Sequence, residues 1–112
     1  MTPVEFRRHL HRHPELSFRE TESARFIAEA LREAGIPCRP IAGTGVLAKI
    51  EGRGDLRRAV VLRADIDALP IREQSGAAWS SENDGVMHAC GHDIHAAVLY
   101  GTLLRLSAER NF

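Results

Sequence analysis

The sequence lacks an excess of charge of either sign. Fifteen lysines and arginines balance fifteen aspartates and glutamates, so the formal net charge at pH 7 is zero. Nucleic acids and anionic membrane surfaces attract proteins that carry a basic excess. The balance therefore argues against both kinds of partner.

Long apolar runs and cysteine are also scarce. No stretch approaches the roughly 18 apolar residues of a membrane-spanning helix, and the N-terminus has no apolar core like that of a signal peptide. Two cysteines, Cys38 and Cys90, do not make the disulfide framework of a secreted protein, although the two thiols could pair with each other. We therefore expect a cytoplasmic protein with reduced thiols.

The rest of the composition is that of an ordinary globular protein. The chain is 44% hydrophobic and 27% charged, and its 112 residues suffice for one domain or for a piece of a larger one. No repeat, linker or low-complexity segment divides it. We treat residues 1–112 as a single unit.

Three stretches show the features of helices. Residues 3–12 begin at Pro3, which suits a first helical turn, and end before Pro14. The first is predicted to be a short helix with few apolar positions.

The second helix is predicted over 18–34, with Ser17 as the N-cap of a capping box and Gly35 as the C-terminal cap. Its apolar residues repeat at helical spacing, which is typical of a helix packed on a sheet. The third helix is predicted over 93–109 with Asp93 as its N-cap. It is apolar on most sides, so we expect it to be buried.

Between the second and third helices the sequence predicts three strands and a loop. The strands cover 38–42, 46–50 and 58–65, and the irregular loop covers 71–86. The third strand has an unbroken apolar centre, which favours burial on both faces. A short connection makes the second and third strands an expected antiparallel pair. The predicted fold class is α/β, in the order α-α-β-β-β-α around a mixed sheet.

Three histidines near the N-terminus, His9, His11 and His13, resemble a metal cluster at first sight. His13 lies in the last helical turn, where a histidine suits the negative end of the helix dipole. We expect no acidic or thiol side chain to lie near them as a further ligand. We therefore exclude all three from the predicted site.

The strongest site signal is the stretch 87–95, Met-His-Ala-Cys-Gly-His-Asp-Ile-His. Cys90 and His92 offer a thiolate and an imidazole, both good ligands for a borderline-soft divalent metal. In an extended segment residues two apart project to the same side, so these two side chains are expected to converge. The following helix N-terminus contributes positive potential, which stabilises a thiolate.

Two aspartates, Asp65 and Asp67, follow the predicted third strand at the same spacing. The carboxyl ends of strands are where α/β sheets place their ligands. A carboxylate there is able to orient a metal-bound histidine. The residues by themselves predict a metal site of unknown reaction.

Two blocks, 62–71 (Leu-Arg-Ala-Asp-Ile-Asp-Ala-Leu-Pro-Ile) and 87–95, resemble signatures of the M20-type metalloamidohydrolases. The opening segment 11–18 is also similar to theirs. The subgroup that resembles this chain most contains hippurate hydrolases, N-acyl-amino-acid amidohydrolases, auxin-conjugate hydrolases and N-acetyldiaminopimelate deacetylases. The resemblance covers nearly the whole chain, in the family's order and spacing.

This resemblance implies roles for three residues. Cys90 and His92 match metal ligands, and Asp65 matches an active-site aspartate that orients or tunes the metal centre. Arg63 stands where other branches of the family have a histidine ligand. The implied cofactor is a divalent ion, Mn, Zn, Co or Ni. The implied substrate is a small N-acyl amino acid or related amide.

The resemblance also implies what lies outside these residues. Family enzymes are several times longer, insert a second, dimerising domain, and carry downstream a general-base glutamate, a glutamate ligand and two histidine ligands. We therefore expect 1–112 to be the N-terminal part of a catalytic domain, without a second domain and inactive alone, whose parent enzyme is a homodimer.

Two other hypotheses remain at this point. The first is a small stand-alone metal-binding module that uses His88, Cys90, His92 and His95. The second is an enzyme in which Cys90 acts as a nucleophile activated by a nearby histidine.

Overall fold

Three helices and one short sheet make up the regular structure. The computed structural model describes all residues, 1–112. In chain order the elements are α1 (Pro3–Arg12), α2 (Thr21–Glu33), β1 (Cys38–Ile41), β2 (Gly45–Ala48) and α3 (His92–Glu109). The predicted α/β class is confirmed.

The core lies where the three helices meet. Phe6 of α1 stacks on Tyr100 of α3, with ring centroids 4.3 Å apart and planes within 5°. Leu10, Leu31 and Ile36 complete the fully buried centre. Burial of such side chains stabilises a fold by roughly 1.5–3 kcal/mol each. The packing of α1 against α3 therefore fixes the position of α3 relative to α1.

The prediction that α3 is buried on most sides is wrong. One face, which includes Ala96, Ala97 and Tyr100, packs into the core, while Ile94 and Val98 on other faces are exposed. Apolar side chains alone do not determine which faces of a helix have neighbours to pack against.

The helix α1 occupies the predicted residues and has a full set of end signals. Thr2 is its N-cap and accepts a hydrogen bond from the N–H of Glu5, whose carboxylate accepts one from the Thr2 N–H. This reciprocal capping box satisfies two donors that the helix itself cannot pair. Local signals thus suffice to set the start of this helix.

The predicted start of α2 is wrong. Phe18 has a left-handed backbone (φ 63°), and Ser17 is no cap. The carboxylate of Glu15 instead accepts hydrogen bonds from the N–H groups of Glu22 (3.2 Å) and Ser23 (2.6 Å). The helix therefore begins only at Thr21, because its free N–H groups are satisfied by a side chain that precedes it by several residues.

The predicted end of α2 is confirmed. Gly35 adopts φ 72°, which is costly for any other residue. The N–H of Ile36 then reaches back to the carbonyl of Leu31 at 2.8 Å. This backward hydrogen bond turns the chain towards the sheet.

The sheet contains only the first two predicted strands. They pair antiparallel with each other, from Cys38 opposite Ala48 to Ile41 opposite Gly45. The predicted strand 58–65, its burial and its pairing with the second strand are wrong. No strand is present there, and Val60 and Val61 are 87% and 84% exposed. A strand needs a partner for its backbone, and no segment of this chain lies beside it.

The segment 71–86 is an irregular loop, as predicted, but it is held against α1. Its ends are joined by a pair of backbone hydrogen bonds between Leu69 and Met87, at 2.9 and 3.0 Å. The guanidinium of Arg8 lies 4.2 Å from the ring centre of Trp79. This arrangement brings the stretch before α3 next to the segment that carries the aspartates.

None of the helices has the length and apolar content that crossing a membrane requires.

Candidate metal centre

His92, the first residue of α3, is held by an aspartate. Its Nδ1 lies 2.8 Å from Oδ1 of Asp67 and 3.1 Å from the Asp67 carbonyl oxygen. Both oxygens accept hydrogen bonds only, so Nδ1 carries a proton, and in the neutral ring the lone pair lies on Nε2. A histidine with its Nδ1 fixed by a carboxylate and its Nε2 free has the usual arrangement of a metal ligand.

Asp65 lies on the other side of the same ring. Its Oδ2 is 3.8 Å from Nε2 of His92, and its Oδ1 accepts a hydrogen bond from Arg63 at 2.6 Å. The residue that orients His92 by a direct hydrogen bond is therefore Asp67, while Asp65 faces the nitrogen that would bind a metal. The two-residue spacing had indicated both aspartates, and only their positions in space separate the two roles.

The connection between Cys90 and His92 differs from the expected extended one. Gly91 has φ 91° and ψ 18°, a left-handed conformation, and α3 begins at the next residue. Cys90 and His92 are therefore not two residues of one extended segment, and extended geometry does not place their side chains on the same side. Cys90 carries an exposed free thiol at the mouth of this turn.

The prediction that Asp93 is the N-cap of α3 is also wrong. Gly91 occupies the N-cap position, and no side chain caps the helix there. Asp93 lies within the first turn, and its exposed fraction is 0%. It points into the protein, away from the position of a cap.

The donors present fit part of a metal site. The imidazole Nε2 of His92 and the thiol of Cys90 have suitable chemistry for a divalent transition metal. No group of three or more histidine, cysteine, aspartate or glutamate side chains is arranged to hold a metal ion. A stable site needs further ligands, because structural and catalytic zinc sites have at least three from the protein.

The stand-alone module is contradicted by this geometry. Its four proposed ligands do not converge, since His88 is only 4% exposed while Cys90 is exposed. The cysteine-nucleophile hypothesis gains no support either. Neither ring nitrogen of His88 has a hydrogen-bond partner, and His92 is bound to Asp67 through Nδ1. Burial lowers the pKa of His88, so its ring is neutral at neutral pH.

A mostly buried set of side chains with alternating charge lies next to this site, and it was not predicted from the sequence. Oδ2 of Asp93 is 2.6 Å from Nε of Arg7 and 2.8 Å from Nδ1 of His11. Nε2 of His11 is 3.0 Å from a carboxylate oxygen of Glu73. We call Arg7, Asp93, His11 and Glu73 the charge chain. It joins α1 to the first turn of α3 and to the loop 71–86.

The exclusion of His11 from the predicted metal site stays a prediction, and the reason given for it is wrong. Its acidic partners lie 62 and 82 positions further along the chain, so a search for nearby acids in the sequence does not find them. The available signal was the position of His11 four residues after Arg7 on one helical face. That spacing places the two side chains together and leaves their partners unidentified.

Glu73 is ionised throughout the neutral range. Burial raises the pKa of its carboxyl group, but hydrogen bonds outweigh burial and bring the pKa down to about 2. The donors are the Ser75 hydroxyl, the Ser81 N–H and His11. Glu73, at the loop end of the charge chain, is therefore negatively charged at neutral pH.

Comparison with known proteins agrees with the geometry. Residues 61–112 match the family described as Peptidase family M20/M25/M40. The chain is 49% identical to N-acetyl-L-cysteine deacetylase of Bacillus subtilis over 96% of its own length and 26% of that protein. It is 48% identical to N-acyl-L-amino acid amidohydrolase of Geobacillus stearothermophilus, over 96% of this chain and 29% of the relative. The chain thus spans about a quarter of the length of the curated relatives it matches.

A solved structure has the same fold over the whole region. The crystal structure of Bacillus subtilis YXEP protein, described as a dinuclear metal binding peptidase from the M20 family, superposes with a TM-score of 0.92 at 46% identity. The match covers 96% of this chain and 31% of that one. Together with the two signature blocks and the His92–Asp67 geometry, these matches show that the chain belongs to the M20 peptidase family.

Proposed function

We propose that this chain forms the opening part of the catalytic domain of a metal-dependent amidohydrolase that acts on N-acyl amino acids. The relatives that support the substrate class are named as enzymes acting on N-acetylcysteine and on N-acyl-L-amino acids. Because the chain spans about a quarter of their length, the complete activity belongs to a longer protein.

In this proposal Cys90 and His92 are metal ligands, Asp67 fixes the His92 ring, and Asp65 tunes the centre. The observation that carries it is the 2.8 Å contact between Nδ1 of His92 and Asp67, which leaves Nε2 free on the side of Asp65. His92 is partly exposed, with 23% of its side chain accessible, so an ion from solvent can reach Nε2. The free Nε2 is thus the feature that favours a ligand.

The chemistry that a divalent metal supplies in such a site is activation of a water molecule for attack on an amide carbonyl. A thiolate and an imidazole suit Zn, Co or Ni, and Mn remains among the proposed ions because the family resemblance implies it. By analogy with the dinuclear YXEP protein, we propose that the complete centre holds two ions. The other ligands and the general-base glutamate would come from the rest of the enzyme.

We also propose that the complete enzyme is a cytoplasmic homodimer with a small-molecule substrate and no nucleic-acid or membrane partner. The free thiols of Cys38 and Cys90 support a reducing compartment. The neutral net charge supports the absence of an anionic polymer partner.

Titration of the 112-residue chain with Co²⁺ tests the ligand assignment. We expect the near-ultraviolet charge-transfer absorption of a cobalt–thiolate bond, with weak affinity because two ligands do not complete the site. Cys90→Ser should abolish this absorption. Cys38→Ser is the matched control, because the Cys38 thiol contacts the Ala28 carbonyl at 3.6 Å and should leave the spectrum unchanged.

Two outcomes would contradict the proposal. One is a cobalt–thiolate band that survives Cys90→Ser or His92→Gln. The other is the release of free amino acid from N-acetyl amino acids by the 112-residue chain alone with Mn²⁺ or Zn²⁺, because the general-base glutamate that the family resemblance implies is expected elsewhere in the enzyme.

A further inference from the structure

We propose that Arg7 and His11 are positioning residues for the metal centre. They hold the carboxylate of Asp93, and through it they keep the first turn of α3 in the place that lets His92 meet Asp67. This inference rests on the proposed role of His92 as a metal ligand. Neither Arg7 nor His11 would touch the metal or the substrate.

The carboxylate of Asp93 is the group through which α1 holds the start of α3. Its exposed fraction is 0%, and a carboxylate in that position needs compensating positive charge. Arg7 and His11, one helical turn apart on α1, supply it to the same oxygen atom, Oδ2, at 2.6 and 2.8 Å. Loss of either cation leaves part of a buried negative charge without a partner.

The start of α3 has no side-chain cap. A helix usually gains a fixed first turn from an N-cap side chain that binds a free N–H group. Gly91 has no side chain to do so, and its left-handed backbone makes the entry to the helix a sharp turn. Besides the packing of Ala96, Ala97 and Tyr100 further along α3, the contacts of Asp93 with α1 restrain this turn.

Asp93 and His92 are adjacent residues of α3. The two residues lie in the same turn, and their side chains have partners in different parts of the protein. The Asp93 side chain ties the turn to α1, while the His92 ring reaches the segment that carries Asp67. A turn released from α1 would change the position of the ring relative to Asp67, and with it the direction of Nε2.

His11 differs from His92 in the partners of its two ring nitrogens. Both nitrogens of His11 face carboxylate oxygens, those of Asp93 and Glu73, and only the imidazolium donates from both. No lone pair is then left for a metal. His11 therefore acts through Asp93, and Glu73 fixes its other side from the loop 71–86.

The metal-free chain provides the first test. Proton–nitrogen NMR correlations of the imidazole rings report which nitrogen of His92 carries the proton. In the wild-type chain we expect the Nδ1–H form, held by Asp67. His11→Gln should convert His92 to a mixture of both tautomers, whereas His13→Gln, at the exposed C-cap of the same helix, should not.

Cobalt affinity provides the second test. Loss of a group that orients a ligand typically weakens metal binding about 10-fold to 100-fold. We expect His11→Gln to weaken Co²⁺ binding at the low end of that range, measured on chain that circular dichroism shows to be folded. If folded His11→Gln keeps both the wild-type His92 tautomer and the wild-type cobalt affinity, the residue is only structural and the proposal is overturned.

A milder variant covers the case in which His11→Gln does not fold. Arg7→Gln removes one of the two cations from a partly exposed position, and Arg12→Gln, whose side chain reaches Glu82 at 3.4 Å, is its control. The same shift of His92 tautomer is expected for Arg7→Gln alone. The tautomer readout needs no metal, so it decides the positioning role even where the wild-type chain, with only two ligands, binds cobalt too weakly to detect.

Discussion

Two histidine–aspartate pairs in this chain have the same contact distance and different environments. Nδ1 of His11 lies 2.8 Å from Asp93, and Nδ1 of His92 lies 2.8 Å from Asp67. The first pair is buried, and Glu73 occupies the second nitrogen of its histidine. The second pair is partly exposed, and the second nitrogen of its histidine has no hydrogen-bonded carboxylate.

The difference shows that a histidine–carboxylate contact does not by itself identify a ligand. Whether the histidine can be a metal ligand depends on the partners of its second nitrogen and on the exposure of its ring. A saturated imidazolium between two carboxylates stabilises a fold, because it neutralises buried charge. A neutral ring with one fixed nitrogen and one free nitrogen at a surface is prepared to bind a cation. Mutation should therefore lower the stability of the fold much more at the first pair than at the second.

The largest expected effect is on stability. Asp93→Asn should lower the free energy of unfolding by about 3–5 kcal/mol, because it leaves the partly exposed Arg7 and the buried His11 without an anion. Asp67→Asn should cost less than about 1 kcal/mol, since that pair is partly exposed. Urea unfolding of the two variants measures the comparison. Equal losses would mean that burial does not distinguish the pairs.

The second prediction concerns acid. The folded-state pKa of Glu73 is about 2, below the ordinary value of 4.5, so its ionisation stabilises the fold at pH values above 4.5. That contribution should be lost as the pH falls from 4.5 towards 2. Thermal unfolding followed across this range should show a steep loss in the wild type and a flatter one in Glu73→Gln. Parallel curves would show that Glu73 does not carry the acid sensitivity.

A feature of the fold could be predicted from the sequence where its signal is local, that is, where the residues that determine it are adjacent in the chain. The ends of α1 follow from Pro3 and Pro14, and the end of α2 follows from Gly35, so these were predicted correctly. The start of α2 was not, because Glu15 caps it across a bend in the chain. Helix ends are predictable where the capping residue is adjacent and unpredictable where it folds back.

Features that depend on distant partners were predicted less well. The apolar stretch 58–65 has the composition of a buried strand, but composition does not supply the neighbouring strand that its backbone requires. For the site, motif spacing selected Cys90, His92 and Asp65, and their ligand roles stay a prediction. The choice of Asp67 as the partner of His92 needed the positions of both in space.

The third prediction has a smaller expected effect than the first two and concerns the turn directly before His92 and Asp93. Gly91→Ala should destabilise the chain by about 1–2 kcal/mol, because its left-handed backbone (φ 91°) is unfavourable for a residue with a Cβ. Gly76→Ala, at φ 68° in the loop, should cost a similar amount, since neither position has an atom within 4 Å of the added Cβ.

The two glycine variants should differ in metal binding. A strained turn at Gly91 changes the direction in which His92 leaves the chain relative to Cys90, so Co²⁺ affinity should fall in that variant and stay at the wild-type value in Gly76→Ala. Unfolding curves and cobalt titrations on the same samples separate the two quantities. Unchanged cobalt affinity in Gly91→Ala would show that the left-handed turn serves the helix start alone. Reduced affinity at equal stability would show that the turn also sets the geometry of the ligands.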